Sequence, residues 1–535
     1  MTIEGGGVVN SAGADLALVR GSLTHVRVTG NGSQWTLGNN LTVGDGGHGT
    51  LTIESGSQVS MTAGQSIIPN SLGSLGEVTV SGSNSQWILA DNLWVGLGGQ
   101  GTLTIQNGGV VNSGGGSIGT NVGGVGIVTV TGNGSQWITS GILYIGDYGQ
   151  GTFTISSGGV VTSNGAAIGF QSGSSGSVTV TGIGSQWNDT GLITIGLSGG
   201  LQQGGQGSLT LNLGGTGSSA ALLIGGAVTV TDPGSKWTTT HGDLVVGEVD
   251  AQGTLTIANG AIVNNVGNSF IGLSGGTATV MGSGSQWNSA YLAVGYSLGF
   301  PQGQGTLTIE SGGVVTTTGQ TLIADFGGSG SVTVDGQGSQ LTSAFVDVGN
   351  GGGGKGQGTL TIQNGGVVNS GGGSIGTNAG GVGIVTVTGV GSQWNNTGSL
   401  MVGLGGQGTL TIEDGGVVHN GSGVFQGSAA LNNRGFLDVE HGSLLSVMGN
   451  AENVGSFHTD YYGHGGGNTL SINGMLTNSG TFELAGPGDS ASIGNGMSNS
   501  GQVSAENGST LQINAMSPTP GSLPLTITAS AAAIR

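Results

Sequence analysis

The chain has 535 residues, of which 124 are Gly and only 6% are Asp, Glu, Lys or Arg. An average soluble protein carries about 25% charged residues and about 7% Gly, so an ordinary globular domain is excluded; seven Pro without a Gly-X-Y period exclude collagen, and 35% hydrophobic residues argue against disorder. The formal charge is −19, and the six basic residues (Arg20, Arg27, Lys236, Lys355, Arg434 and Arg535) are scattered, so no basic stripe exists to neutralise phosphates and neither nucleic acid nor an anionic membrane is an expected partner.

The chain contains no Cys, so it has neither disulfides nor a thiolate metal site. No apolar run approaches the roughly 18 residues of a membrane span. The N-terminal sequence MTIEGGGVVNS lacks the basic region and apolar core of a signal peptide. Met1-Thr2-Ile3 aligns with Leu51-Thr52-Ile53, inside a repeated strand, which reads as a piece of a longer chain.

From the start the sequence repeats. S-Q-W or S-K-W recurs at Trp35, Trp87, Trp137, Trp187, Trp237, Trp287 and Trp394, mostly at steps of about 50 residues, with Leu341 filling one gap; Trp94 alone lies outside the series. Each such unit divides into two similar halves. A central Thr recurs about every 25 residues at Thr2, Thr52, Thr79, Thr104, Thr129, Thr154, Thr179 and Thr210, and continues to Thr411, with Arg27 as its exception. Its neighbours are nearly always Leu, Ile or Val, so strand alternation sends the aliphatics to one face and the Thr column to the other.

A unit of three short strands and Gly corners is too small to bury its own apolar face. Coiling solves this, and the predicted fold is an all-β, parallel, right-handed β-helix (β-solenoid) with turns of about 25 residues. About seventeen turns at about 4.8 Å each predict a rod about 80 Å long, lengthened by the C-terminal part. Neutral Ser, Thr and Asn stack in adjacent rungs without the repulsion that identical charges would suffer, which explains the low charge content.

Extra residues at Gly199–Gly207, Glu248–Gln252, Tyr296–Gln304 and Asn350–Gln357 all lie between a closing I-G or V-G and the next opening strand, and therefore at one corner. Residues 361–394 repeat 104–137 with only Val122 replaced by Ala379 and Asn133 by Val390. The expected organisation is 1–423 in double-turn repeats of about 50 residues, 424–514 as a continuation with 20–25-residue turns marked by Asn433, Asn453, Asn478 and Asn499, and 515–535 as a loose tail.

The unit G-x-G-T-L-T-I-x-x-G-G-V-V, followed by I-G, then V-T-V-T-G-x-G-S-Q-W and L-x-V-G, resembles the repeat of type V secretion (autotransporter) passengers and PEP-CTERM-sorted bacterial surface proteins. The match spans roughly residues 1–420. The resemblance implies a parallel β-solenoid exposed outside the cell, adhesin-like, with no catalytic residues. Neither a C-terminal membrane barrel nor a terminal sorting helix is visible in this sequence.

Other readings rest on particular residues. Glu310 and Asp335 each follow a column Thr by two residues, so a polysaccharide-active enzyme would hold them about 5 Å apart as paired carboxylates. His458, Asp460 and His464 are the local set of metal-ligand types, without a recognised spacing. The Thr column raises an ice-binding face, which needs a second unbroken column. The repeated Trp would be either core packing or a row of sugar-stacking platforms, and the alternation of Trp137 with Val111 favours packing.

The sequence reading is therefore a non-enzymatic bacterial surface or secreted stalk, a monomeric rod presenting loops to surface glycans or proteins. No catalytic, cofactor or metal residue is assigned, and no membrane insertion is expected of this segment.

Overall fold

A computed structural model describes residues 1–198, 203–248, 250–297, 303–352, 354–421, 431–461 and 465–514, together with the strand positions 527–528 and 533–534. The fold is all-β. Each turn contributes one strand to each of three parallel sheets, and the chain divides into two compact units, Met1–Asn268 and Ser269–Arg535.

In the first unit a representative turn runs Gln100–Gln106 in the first sheet, Val110–Ser113 in the second and Gly116–Ile118 in the third. The next turn repeats this with Val125–Thr131, Gln136–Thr139 and Leu143–Ile145. Thr104 pairs with Thr129 and Thr129 with Thr154, so the Thr column forms as expected, half-exposed on the outer face. Leu103, Ile105, Val111 and Ile118 are fully buried. Continuous stacking of such aliphatics supplies the hydrophobic stabilisation, at about 25 cal/mol per Å² removed from water.

The Trp series lies inside. Val111 pairs with Trp137, and Trp137 with Val161, so Val and Trp alternate along one interior row of the second sheet. Seven of the eight Trp are no more than 3% exposed: Trp35, Trp87, Trp137, Trp187, Trp237, Trp287 and Trp394. Small residues make the room. A Cβ added to Gly116 would lie 2.8 Å from the Trp137 ring. The closing I-G has a backbone reason: Gly119 has φ +72°, and a Cβ there would collide with the carbonyl oxygen of Gln150, the first residue of the strand that opens the turn after next.

The second unit follows the same rule through Thr308, Thr333, Thr361, Thr386 and Thr411. The row then changes chemistry, with Thr411 pairing with Asp438, Asp438 with His458, and His458 with Glu483. The recurrent Asn of this region form an amide ladder, buried at Asn433, Asn453 and Asn478 and half-exposed at Asn499. Asn433 donates to Asn453 at 2.8 Å, Asn453 to Asn478 at 2.7 Å, and Asn478 to Asn499 at 2.7 Å. The tail contributes Ile527–Thr528 and Ala533–Ile534, which pair with Gln502–Ala505 and Thr510–Ile513.

In each unit the insertions fall between a third-sheet strand and the next first-sheet strand. One of them is bracketed by an antiparallel bridge from Leu197 to Gln203. Residues 199–202, 249, 298–302 and 353 lie outside the described residues.

Candidate functional site

Glu310 and Asp335 are register partners on adjacent half-exposed strand ends, as their spacing predicts. Their surroundings are ordinary outer-face contacts: Asn364 Nδ2 donates to Asp335 Oδ1 at 2.7 Å, and Met281 precedes Glu310 in the same row. Arg27, the exception in the Thr column, forms an ion pair with Glu54 of the next turn. The column two residues earlier holds Thr102, Ile127, Thr152 and Ser177 in register, so the paired Thr columns of an ice-binding face do not form there.

His458 and Asp460 are not brought together as ligands. The backbone turns at Asp460, with φ +59°, and Asp460 Oδ1 accepts the Gly465 N–H at 3.0 Å. His458 Nδ1 instead meets Glu483 Oε2 of the following rung at 2.8 Å. His464 lies outside the described residues, and among these no group of three or more His, Asp or Glu is placed to hold a metal ion.

The same rungs gather an acidic and aromatic cluster that spacing did not disclose. Asp438 is fully buried and Glu440 is 1% exposed. Burial, reinforced by hydrogen bonding and charge repulsion with Glu440, pushes the Asp438 carboxyl up to about 8. Tyr461 packs edge-on to Phe436 at 5.2 Å and against His458 at 4.7 Å. Phe436, at the start of the strand Phe436–Val439, marked this region in the sequence only as an aromatic after an Asn-x-Gly turn.

A second cluster lies on the outer face of the third sheet in the second unit. Phe270, Tyr296 and Phe326 form a row with centroids 5.3 and 5.5 Å apart. Beside them Asp325 and Asp347 are nearly buried, and desolvation raises both carboxyls above their usual range. Asp347 accepts hydrogen bonds from Ser374 and Thr377, each at 2.6 Å.

In the first unit, Trp94 occupies the outward position of the strand Leu93–Val95 and is half-exposed. It pairs with Ser117, which pairs with Tyr144, also outward and half-exposed. An open cleft of about 480 Å³ lies there, with Asn92, Ser117 and Asp147 among its walls. Thr120 Oγ1 donates to Ser117 Oγ at 2.8 Å, Tyr144 stands edge-on to Phe170 at 5.3 Å, and burial pushes the Asp147 carboxyl up. The available signal was that Trp94 breaks the series and follows an inward Leu, which turns it outward by alternation.

Stacked rungs in three parallel sheets, with the Trp series inside and polar rows outside, define a parallel β-solenoid. No family model matches the chain, and no curated protein matches it. Among solved structures, a crystal structure of a TibC-catalysed, hyper-glycosylated TibA fragment (its residues 55–350) is 17% identical. The likeness covers 76% of this chain and 97% of that one, at a TM-score of 0.33.

Proposed function

We propose that this chain is a non-enzymatic, adhesin-like β-solenoid of a bacterial surface or secreted protein. It would present its outer rows and corner loops to surface glycans or proteins through many weak contacts. The observation that carries this reading is the register of small neutral side chains on the outer face, Thr104 over Thr129 over Thr154. Each rung repeats the Thr hydroxyl of the last, so a partner with a repeating surface meets an equivalent group many times, and weak contacts add by effective concentration. The similarity of the repeat to autotransporter and PEP-CTERM-associated sequences supports placement outside the cell.

The test uses the full chain coupled to beads at increasing density and presented to cells, extracellular matrix and immobilised glycans. Retention should climb steeply with density, while the free chain binds weakly. Absence of binding at every density would contradict the proposal. Glu310→Gln with Asp335→Asn should leave retention unchanged, and a glycan-cleaving activity abolished by that pair would instead establish the polysaccharide-active alternative.

A further inference from the structure

The chain contains its own control for the Trp94 cleft. The sequence Gly114-Gly115-Gly116-Ser117-Ile118-Gly119-Thr120 recurs unchanged as Gly371 to Thr377. In both copies the third Gly is required by the interior, since a Cβ on Gly116 or Gly373 would press on the ring of Trp137 or Trp394. The outer walls differ. Ser117 lies in register between Trp94 and Tyr144, whereas Ser374 lies between Asp347 and Met401. Over the second Gly of the run stands Asn92 in one copy and the Phe345 ring in the other, each 2.6 Å from where a Cβ would be. The second copy is thus covered by Phe345, and its Ser374 and Thr377 hydroxyls are taken by Asp347. The first has Asn92 rather than a ring over its Gly floor, and there Ser117, 5% exposed between two aromatic side chains, accepts from Thr120 Oγ1 instead of donating to a carboxylate.

We infer that the cleft between Trp94 and Tyr144 binds a neutral saccharide, taking a pyranose ring against the aromatic side chains and its hydroxyls on Asn92, Ser117 and Asp147. The proposal rests on the reading of this chain as a binding surface and names a ligand class for it. Four features select that class. The two aromatics are two rungs apart, about 10 Å at about 4.8 Å per rung, which leaves room for a ring rather than for direct stacking. The volume, about 480 Å³, falls in the roughly 300–1,000 Å³ range of small-molecule sites. Asn92 supplies both donors and acceptors and Asp147 supplies acceptors, the combination that vicinal hydroxyls satisfy. No Lys, Arg or His is among the described residues lining the cleft, so a carboxylated or phosphorylated ligand would meet Asp147 without a counter-charge.

A compact quaternary cation is the competing guest, because aromatic side chains beside a carboxylate also attract cations. The spread of the two aromatics over a polar floor favours the sugar ring.

The test is a glycan array probed with the full chain, followed by titration of its Trp emission with the neutral oligosaccharides retained. Trp94 is the one Trp of the eight that is not buried, so binding should shift the emission. Asn92→Phe, which copies the covering seen at Phe345, should weaken binding at least tenfold in the titration, and Trp94→Ala, which lacks the reporting Trp, should weaken retention on the array at least tenfold. Circular dichroism should stay unchanged, because Phe already stands at the corresponding place in the other copy. Glu310→Gln should bind as the parent does. Retention of no neutral saccharide, binding indifferent to both cleft variants, or an emission shift produced by choline chloride instead would each overturn the proposal. Density-dependent adhesion by a chain that retains no neutral saccharide would overturn this site while leaving the surface-binding reading standing. Saccharide binding without adhesion to any surface would do the reverse.

Discussion

Trp137 donates its indole N–H to Ser113 Oγ of the preceding rung at 3.0 Å, inside a core where both residues are buried. The same bond joins Trp187 to Ser163, Trp394 to Ser370 and Trp35 to Ser11. The last residue of V-V-N-S or V-V-T-S is thus an inward hydroxyl that partners the Trp 24 residues later. At Trp87 the corresponding residue is Met61, and the indole Nε1 has no partner.

Ser113→Ala leaves the Trp137 indole buried and unpaired, which should cost about 1–3 kcal/mol. Urea unfolding followed by Trp emission measures the loss. Changing Met61 to Ala removes no indole partner and should lower stability through its cavity and the loss of the sulfur that accepts from Ser66 Oγ, without the change in indole hydrogen bonding that ultraviolet resonance Raman detects at Ser113→Ala.

Gly217 lies in register between Trp187 and Trp237, where most other Trp have Val neighbours. The two rings meet edge-on at 6.3 Å, and a Cβ on Gly217 would run into the Trp237 ring. Gly217→Val restores the commoner residue of the repeat, yet it should destabilise the first unit by about 1–3 kcal/mol through overpacking. A rise in the denaturation midpoint would show that the row tolerates Val there.

Asn453 occupies the middle of the amide ladder, donating to Asn478 and accepting from Asn433. Asn453→Asp places an acceptor against the Asn478 oxygen and buries a charge, so it should destabilise more than Asn453→Leu. The Leu variant takes the acceptor from Asn433 Nδ2 and the donor from both Asn478 Oδ1 and the Thr481 carbonyl, at about 1–3 kcal/mol for each group left unpaired. Hydrogen exchange at Asn433 to Asn478 would report the order.

The Asp438 carboxyl, raised from its ordinary 3.8 to about 8 by burial beside Glu440, binds a proton in the folded chain that the unfolded chain has already released at neutral pH. Its contribution to stability is therefore full below about pH 4 and declines as pH rises to about 8. Denaturant midpoints of the second unit should fall across that window. Asp438→Asn should flatten the decline, and an unchanged slope would assign it to groups other than Asp438.

The sequence made the coil rule legible because identical rungs print the same letters at every turn: Thr104, Thr129 and Thr154 needed no coordinates to be placed in one row. Burial of Trp137 was legible for the same reason, from its alternation with Val111. The Asn recurrence was visible too, but its ladder was not, since bonding from Asn433 to Asn453 depends on which way each amide faces. His458 and Glu483 meet one rung apart, but the step along that row changes from 20 residues, Asp438 to His458, to 25, His458 to Glu483, so no single period marks the row. Trp94 stood out as irregular. Its partnership with Tyr144 across Ser117 required the register of three third-sheet strands, whose sequences Leu-Trp-Val, Gly-Ser-Ile and Leu-Tyr-Ile carry little repeat signal.

The central claim is that the Trp series builds the interior and leaves function to the outer rows, and acrylamide quenching of Trp emission in the full native chain tests it most directly. The account predicts that one Trp in eight is accessible and that Trp94→Phe abolishes this accessible fraction. Quenching of several Trp, or an accessible fraction that survives Trp94→Phe, would place the S-Q-W series at the surface and contradict the account.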